Sequence, residues 1–273
     1  MYRRSVRIIK PIDFMNLHRL RRRIRKYLPR HFHCFSVGAA KTGTTSIADM
    51  LLPKYRAQHE PEPARTVDLV IKHLSDEITD ADVRDRLRKR DRRLRLELES
   101  SHPMGYLTPL LVDVFPDARF IITIREPRAW LASRLKFHFI VDSSEIPAWR
   151  PYRKYFWGEN HDSFNKEEEV LQEYGLAPLS VYLKQYEEHY QNVMKAVPSE
   201  RRLIIPTKHL DRALSQIACF LSLSPNEIEP SHRKKSPTKI DIINNINEEY
   251  VDQKIQKFYP NVIDLYHEYE SCF

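Results

Sequence analysis

The stretch FSVGAAKTGTTSIADML, residues 35–51, decides the fold class of this chain. The preceding residues HCFSVGAA (33–40) form a short apolar run that is typical of a buried strand, and TTSIADMLL (44–52) places Ile47 and Leu51 on one face of a helix. Two of the chain's five glycines lie between them. A strand, a glycine-containing loop and a helix begin an α/β unit whose loop can hold an anion.

The lysine of this loop has an unusual position. The common nucleoside-triphosphate loop, G-x-x-x-x-G-K-[ST], carries its lysine after the second glycine. Here Gly38 and Gly43 have that spacing, but Lys41 lies between them and Thr44 follows Gly43. We predict that backbone N–H groups, Lys41 and the hydroxyls of Thr44 and Thr45 bind an anion at the start of the helix.

Further strands and helices follow along the chain. Apolar or alternating runs predict strands at 55–63, 94–101, 118–126 and 201–207, separated by helical patterns, and the tail is helical. The predicted fold is therefore a central parallel sheet flanked by helices, in a single domain spanning 33–273. Residues 141–178 have little periodicity, and we interpret them as an insertion near the site, either a lid or an acceptor-binding region, or else as a surface excursion.

The excess positive charge lies in an N-terminal arm, residues 1–32. The chain has a formal net charge of +8, and residues 1–30 contain eleven Lys or Arg against one acid, Asp13. The arm is interpreted as a solvated basic helix or as a peripheral contact with anionic lipid. No nucleic-acid partner is expected, because no nucleic-acid module accompanies the charge.

Cysteine content and hydropathy indicate the compartment. The three cysteines are far apart and contain no C-x-x-C, which argues against a disulfide framework or a zinc site. No run is long enough to span a bilayer, and no signal-peptide core is present at the start. The expectation is a cytoplasmic protein.

Two motifs together resemble the sulfotransferases that use 3′-phosphoadenosine-5′-phosphosulfate. GAAKTGTTSI is similar to the family's K-[ST]-G-T-[TS] loop for the 5′-phosphosulfate, and FIITIREPRAWLASRLKFH is similar to its 3′-phosphate segment. In that segment an arginine at a strand end and a serine eight residues later bind the 3′-phosphate, as Arg125 and Ser133 would here. The resemblance covers about 33–140 well and the remainder loosely.

The resemblance implies a donor site and a reaction. The donor-binding residues would be Gly38, Ala39, Ala40, Lys41, Thr42, Gly43, Thr44, Thr45, Ser46, Arg125 and Ser133. Arg233, Lys234 and Lys235 are weaker candidates, because their basic loop lacks the family's glycine-rich form. A sulfuryl group would pass to a hydroxyl or amine of a carbohydrate, lipid or small-molecule acceptor, and no metal is implied.

Two residues compete for the role of general base. Glu60 ends the second predicted strand and His102 ends the third, where different members of the family place a catalytic glutamate or histidine. The carboxyl ends of parallel strands share one edge of a sheet, so both side chains are candidates, with Glu60 preferred. The alternatives to the whole interpretation are a P-loop kinase or NTPase, and a non-catalytic binding module with the same fold.

Overall fold

A five-stranded parallel sheet forms the centre of the computed structural model, which describes residues 28–141, 147–158, 164–231 and 241–273. Its strands follow the order β2-β3-β1-β4-β5. They are β1 (Cys34–Ser36), β2 (Ala57–His59), β3 (Leu98–Ser100), β4 (Arg119–Ile124) and β5 (Arg202–Pro206). Each lies inside a predicted strand region, and all four pairings are parallel. The predicted fold class is therefore confirmed.

Eleven α-helices occur in the described part of the chain. They are α1 (Thr44–Leu51), α2 (Pro63–Leu74), α3 (Asp80–Leu94), α4 (Thr108–Val114), α5 (Pro127–Ile140), α6 (Arg150–Trp157), α7 (Glu169–Glu173), α8 (Leu179–Ala196), α9 (Leu214–Leu221), α10 (Glu248–Phe258) and α11 (Pro260–Glu270). The predicted strand at 94–101 begins late, because α3 continues to Leu94 and ends at Arg95, whose φ is 49°.

The strands alternate their side chains between two apolar cores. Phe120 and Ile122 pack in the larger core, whereas Ile121 between them packs in the smaller one. Helix α1 covers the smaller core with Ile47 and Leu51, as its sequence pattern predicts. Layers of helices on both faces are the usual arrangement for a parallel sheet, whose strands are buried on both sides.

The described part of 141–178 forms a helical cover. Helix α6 contacts α2 and α8, and it buries Tyr152 and Trp157. Just before it, Trp149 stacks on His102 with ring centroids 5.0 Å apart. This segment therefore lies over one of the two candidate bases, rather than extending from the surface.

Several sequence interpretations fall on residues outside the described ranges. They include most of the basic arm, residues 1–27, and the three cations Arg233, Lys234 and Lys235. Their proposed contacts with lipid and donor stay predictions. Among the described residues, no helix is both long and apolar enough to cross a bilayer.

Candidate active site

Loops from all five strands meet at the carboxyl edge of the sheet. The loop of residues 37–43, which follows β1 and is here called the anion loop, lies at its centre. Thr207, just after β5, donates a hydrogen bond from its hydroxyl to the carbonyl of Thr42 at 2.7 Å. On the other side, the hydroxyl of Ser100 at the end of β3 donates to the carbonyl of Thr44 at 2.6 Å. Residues at the ends of β3 and β5 thus hold the C-terminal end of the anion loop from two sides.

Close packing fixes the shape of the anion loop. A Cβ on Gly38 would lie 2.6 Å from the carbonyl oxygen of Thr123, so only glycine fits beside β4. The buried hydroxyl of Thr42 bonds to the Ala39 carbonyl and to Thr123 Oγ1, both at 2.7 Å. Gly43 has a φ of 99° and leaves the start of α1 without a side-chain cap. The first N–H groups of α1 are therefore available to an anion.

Three other cationic side chains act electrostatically on Lys41 of the anion loop. Burial, together with the nearby charges of Arg134, Arg125 and Lys136, lowers the pKa of Lys41, while Glu60 acts in the opposite direction. Arg125 donates to the Lys41 carbonyl at 3.3 Å, and burial lowers its pKa as well. These cations are partly removed from water and repel one another. An anionic ligand would offset both the cost of burial and the repulsion, so the site favours an anion.

An aromatic pair positions Arg125 and the anion loop. The Tyr186 hydroxyl accepts from the backbone N–H of Arg125 at 3.1 Å and donates to its carbonyl at 2.8 Å. Trp130 stacks on Tyr186 and donates from Nε1 to the Ala40 carbonyl at 2.8 Å. Sequence reasoning missed both residues. Trp130 lies within the quoted Arg125 segment, but Tyr186 comes from distant α8.

The two candidate bases form one hydrogen-bonded pair. Glu60 Oε1 and His102 Nδ1 are 2.6 Å apart, and both side chains are largely buried. Burial alone would raise the pKa of Glu60, but the charge and hydrogen bond of His102 lower it below its usual value. Burial lowers the pKa of His102, against the effect of Glu60. The pair is therefore an ionised carboxylate and a neutral imidazole near neutral pH.

The hydrogen bond also determines which imidazole nitrogen is basic. A carboxylate can only accept, so Nδ1 of His102 carries the proton and Nε2 keeps its lone pair. Nε2 is buried and has no partner in the structure. A ring held by a carboxylate through one nitrogen, with the other free, is the arrangement used by general-base histidines.

The remaining predicted residues lie on α1 and α5. The hydroxyls of Thr44 and Thr45 both lie 3.2 Å from Nε2 of His59, which follows from the position of His59 at the end of β2. Ser46 is half-buried on α1, and Ser133 is half-buried on α5. Ser133 has no hydrogen bond to Arg125, so their joint binding of a phosphate stays a prediction.

One buried cation was not predicted. Arg134 is only 4% exposed and lies on α5 among the buried positions Trp130, Leu131, Leu135 and His138. These positions have the spacing of a helix face that turns toward a core. A charged residue at such a position was the signal in the sequence.

Comparison with known proteins identifies the family. The sequence model described as "Sulfotransferase domain" matches residues 33–224. The crystal structure of a sulfotransferase from Alicyclobacillus acidocaldarius matches with a TM-score of 0.50 and 19% identity, over 88% of this chain and 97% of that chain. That likeness supports the fold. Among curated protein sequences there is no significant match. Since the family model covers well over half of the chain, the protein belongs to the sulfotransferase family.

Proposed function

We propose that this sulfotransferase transfers the sulfuryl group of 3′-phosphoadenosine-5′-phosphosulfate to an acceptor hydroxyl. The observation that carries the proposal is that the anion loop lies next to the Glu60–His102 pair. Ala39 and Ala40 of the loop line the same cavity as His102, and Glu60 bonds to His102 at 2.6 Å, so the loop and the pair share one site. A donor anion and an acceptor proton could therefore be handled side by side.

The residues present fit the donor. The free N–H groups at the start of α1 and the ammonium of Lys41 suit the 5′-phosphosulfate, while Arg125 suits the 3′-phosphate. The donor supplies an activated sulfuryl group whose phosphosulfate linkage breaks as the new bond forms. Lys41 would stabilise the negative charge that develops on the bridging oxygen, which is the largest electrostatic change in the reaction.

His102 is the proposed general base. As the acceptor oxygen forms its bond to sulfur, its proton passes to Nε2 of His102, the nitrogen that has no partner in the structure. Glu60 would stabilise the imidazolium through Nδ1. The proton can then leave to solvent after the products separate. This assignment gives Glu60 a positioning and electrostatic role, and it departs from the preference for Glu60 as the base.

The two alternative functions account less well for the site. A P-loop kinase needs its lysine after the second glycine, whereas Lys41 precedes Gly43. A non-catalytic module would not need the buried Glu60–His102 pair. A buried imidazole nitrogen without a hydrogen-bond partner lowers the stability of the fold, so a role in catalysis accounts for it better. An amine acceptor would use the same base and the same transfer step.

Ligand-dependent stability tests the donor assignment. We expect 3′-phosphoadenosine-5′-phosphate to raise the melting temperature more than ATP with Mg²⁺. A ligand at about 100 times its dissociation constant adds about 2.7 kcal/mol to the free energy of unfolding. Lys41→Ala and Arg125→Ala should reduce the shift. A larger shift with ATP and Mg²⁺ would favour a kinase instead.

A further inference from the structure

Arg134 is a buried cation without an anionic partner among the described residues. Its side chain is 4% exposed, and its Nε has no hydrogen-bond partner. Burial lowers the pKa of Arg134, and the charge of Glu60 partly offsets this effect, but the Glu60 carboxylate bonds to His102 and no described carboxylate forms an ion pair with Arg134. An unpaired buried charge opposes folding strongly, so an arginine in this state is suited to a ligand that supplies the missing charge.

The immediate surroundings of Arg134 are aromatic. Its guanidinium carbon lies 4.5 Å from the ring centre of Trp157 and 5.9 Å from that of Phe137. These rings exclude water and favour a cation, but they offer no lone pair to the N–H groups. The planar fork of donors is therefore free to bind a carboxylate, sulfate or phosphate in two-point contact.

The position of Arg134 indicates which reactant it meets. It lines a small cavity at the border between the two reactants, together with Ala39 and Ala40 of the anion loop and with His102, Tyr106, Tyr152 and Gln185. The acceptor hydroxyl must reach His102 to lose its proton, so the reacting end of the acceptor would lie in this cavity beside Arg134. Tyr152 comes from the helical cover rather than from the anion loop.

The donor has other partners. Arg125 bonds directly to the anion loop through the Lys41 carbonyl, whereas Arg134 makes no hydrogen bond to that loop. The aromatic ring nearest to Arg134 is Trp157, which ends α6 of the cover. The guanidinium of Arg134 is thus packed against the acceptor side of the site.

We propose that Arg134 binds an anionic group of the acceptor, so that the natural acceptor is a hydroxyl compound that already carries a carboxylate, sulfate or phosphate. This inference rests on the proposed function. The aromatic side chains of Tyr106 and Tyr152 would pack against the body of such a compound, and Gln185 adds a polar group to the same wall.

Charge fractionation of an acceptor pool tests the inference without any mutation. A cell extract of small molecules is separated at pH 7 on an anion exchanger into bound and unbound fractions. Each fraction is incubated with the full-length protein and ³⁵S-labelled 3′-phosphoadenosine-5′-phosphosulfate. We expect the labelled product to come from the bound fraction. Labelling confined to the unbound fraction would overturn the inference, and no labelling of either would instead overturn the proposed function.

Variants of Arg134 then test the residue itself with the acceptor so found. In Arg134→Gln we expect the acceptor KM to rise about 10- to 100-fold, the usual range for losing a charged hydrogen bond. Arg134→Lys should retain part of the affinity. Arg128→Gln is the matched control, because Arg128 lies on the same helix and pairs with Asp252 at the surface.

A measurement of donor binding distinguishes an acceptor-binding role of Arg134 from a donor-binding role. The thermal shift caused by 3′-phosphoadenosine-5′-phosphate should be the same in wild type, Arg134→Gln and Arg128→Gln. An unchanged acceptor KM in Arg134→Gln, or a loss of donor affinity in its place, would overturn the inference. If Arg134→Gln does not fold by circular dichroism, Arg134→Lys and the fractionation still decide the question.

Discussion

Replacement of Glu60 by glutamine tests the division of roles within the Glu60–His102 pair. In the wild type, the carboxylate accepts from Nδ1 at 2.6 Å and faces the positive charge that forms on the ring during proton transfer. With the two charge centres about 4 Å apart and an effective dielectric of about 20, their attraction is about 4 kcal/mol. Its loss predicts a fall of about a thousandfold in kcat.

The dependence of kcat/KM on pH identifies the base. A neutral His102 is the active form, so activity falls as acid protonates it, and burial moves that fall below the ordinary histidine pKa of 6.5. Because Glu60 raises the pKa of His102, Glu60→Gln should move the fall to still lower pH. If Glu60 were the base, the wild-type fall would lie below 4.5, because the pKa of Glu60 is lowered from that value.

Two comparisons make the result interpretable. Glu62→Gln removes a carboxylate from the same loop, but Glu62 pairs with Arg93 at 2.5 Å, away from His102, so its kcat should stay close to wild type. His102→Gln should lose about 10²- to 10⁴-fold. Near-normal kcat in Glu60→Gln, or an unchanged pH profile, would refute the role given to the carboxylate.

Four further substitutions test the donor site and the stability of the fold. Lys41→Ala should abolish turnover with the fold intact by circular dichroism, whereas Arg125→Ala should mainly weaken donor binding in titration calorimetry, because its phosphate does not react. Gly38→Ala should cost about 1–3 kcal/mol in urea unfolding, since its Cβ would meet the backbone of Thr123. Burial raises the pKa of Glu97, but its hydrogen bonds to Arg56 and His31 and the charge of Arg56 together lower it below the usual value, so Glu97→Gln should destabilise by about 1.5–3 kcal/mol at pH 7. That difference should shrink below pH 4.5, where the wild-type carboxylate also loses its charge.

Local patterns predicted the strands and the anion loop because their causes are local. β4 is a run of apolar residues that is buried on both faces, and Pro127 starts α5 where the sequence requires a turn. Glu126 then caps that helix, accepting from the N–H groups of Arg128 and Ala129 at 2.8 and 2.6 Å. In each case the residues that cause the local structure lie within a few positions of it in the sequence.

Contacts between distant segments set the limit of prediction from the sequence. The hydroxyl of Tyr186 lies 61 positions from Arg125, and no periodicity links the two. Arg134 is similar, since its burial depends on α6, whose sequence gives little indication of where it packs. The sequence could identify side chains that are able to bind an anion or accept a proton. It could not show which of them lack a hydrogen-bond partner in the folded protein.

The order of the strands in the sheet explains why Glu60 and His102, two competing candidates for the base, form one hydrogen-bonded pair. The sequence places each residue just after a strand, but it does not show that β2 and β3 are neighbours. In the structure they pair in parallel, with His59 opposite Ser100, and the backbone N–H of Glu60 continues the ladder to the Ser100 carbonyl at 2.9 Å. Glu60 directly follows β2 and His102 lies two positions after β3, which brings the carboxylate and the imidazole into contact. The two residues are therefore not alternatives: in the proposed mechanism His102 is the base and Glu60 positions it. This division of roles depends on the order of the strands, which neither residue reveals by itself.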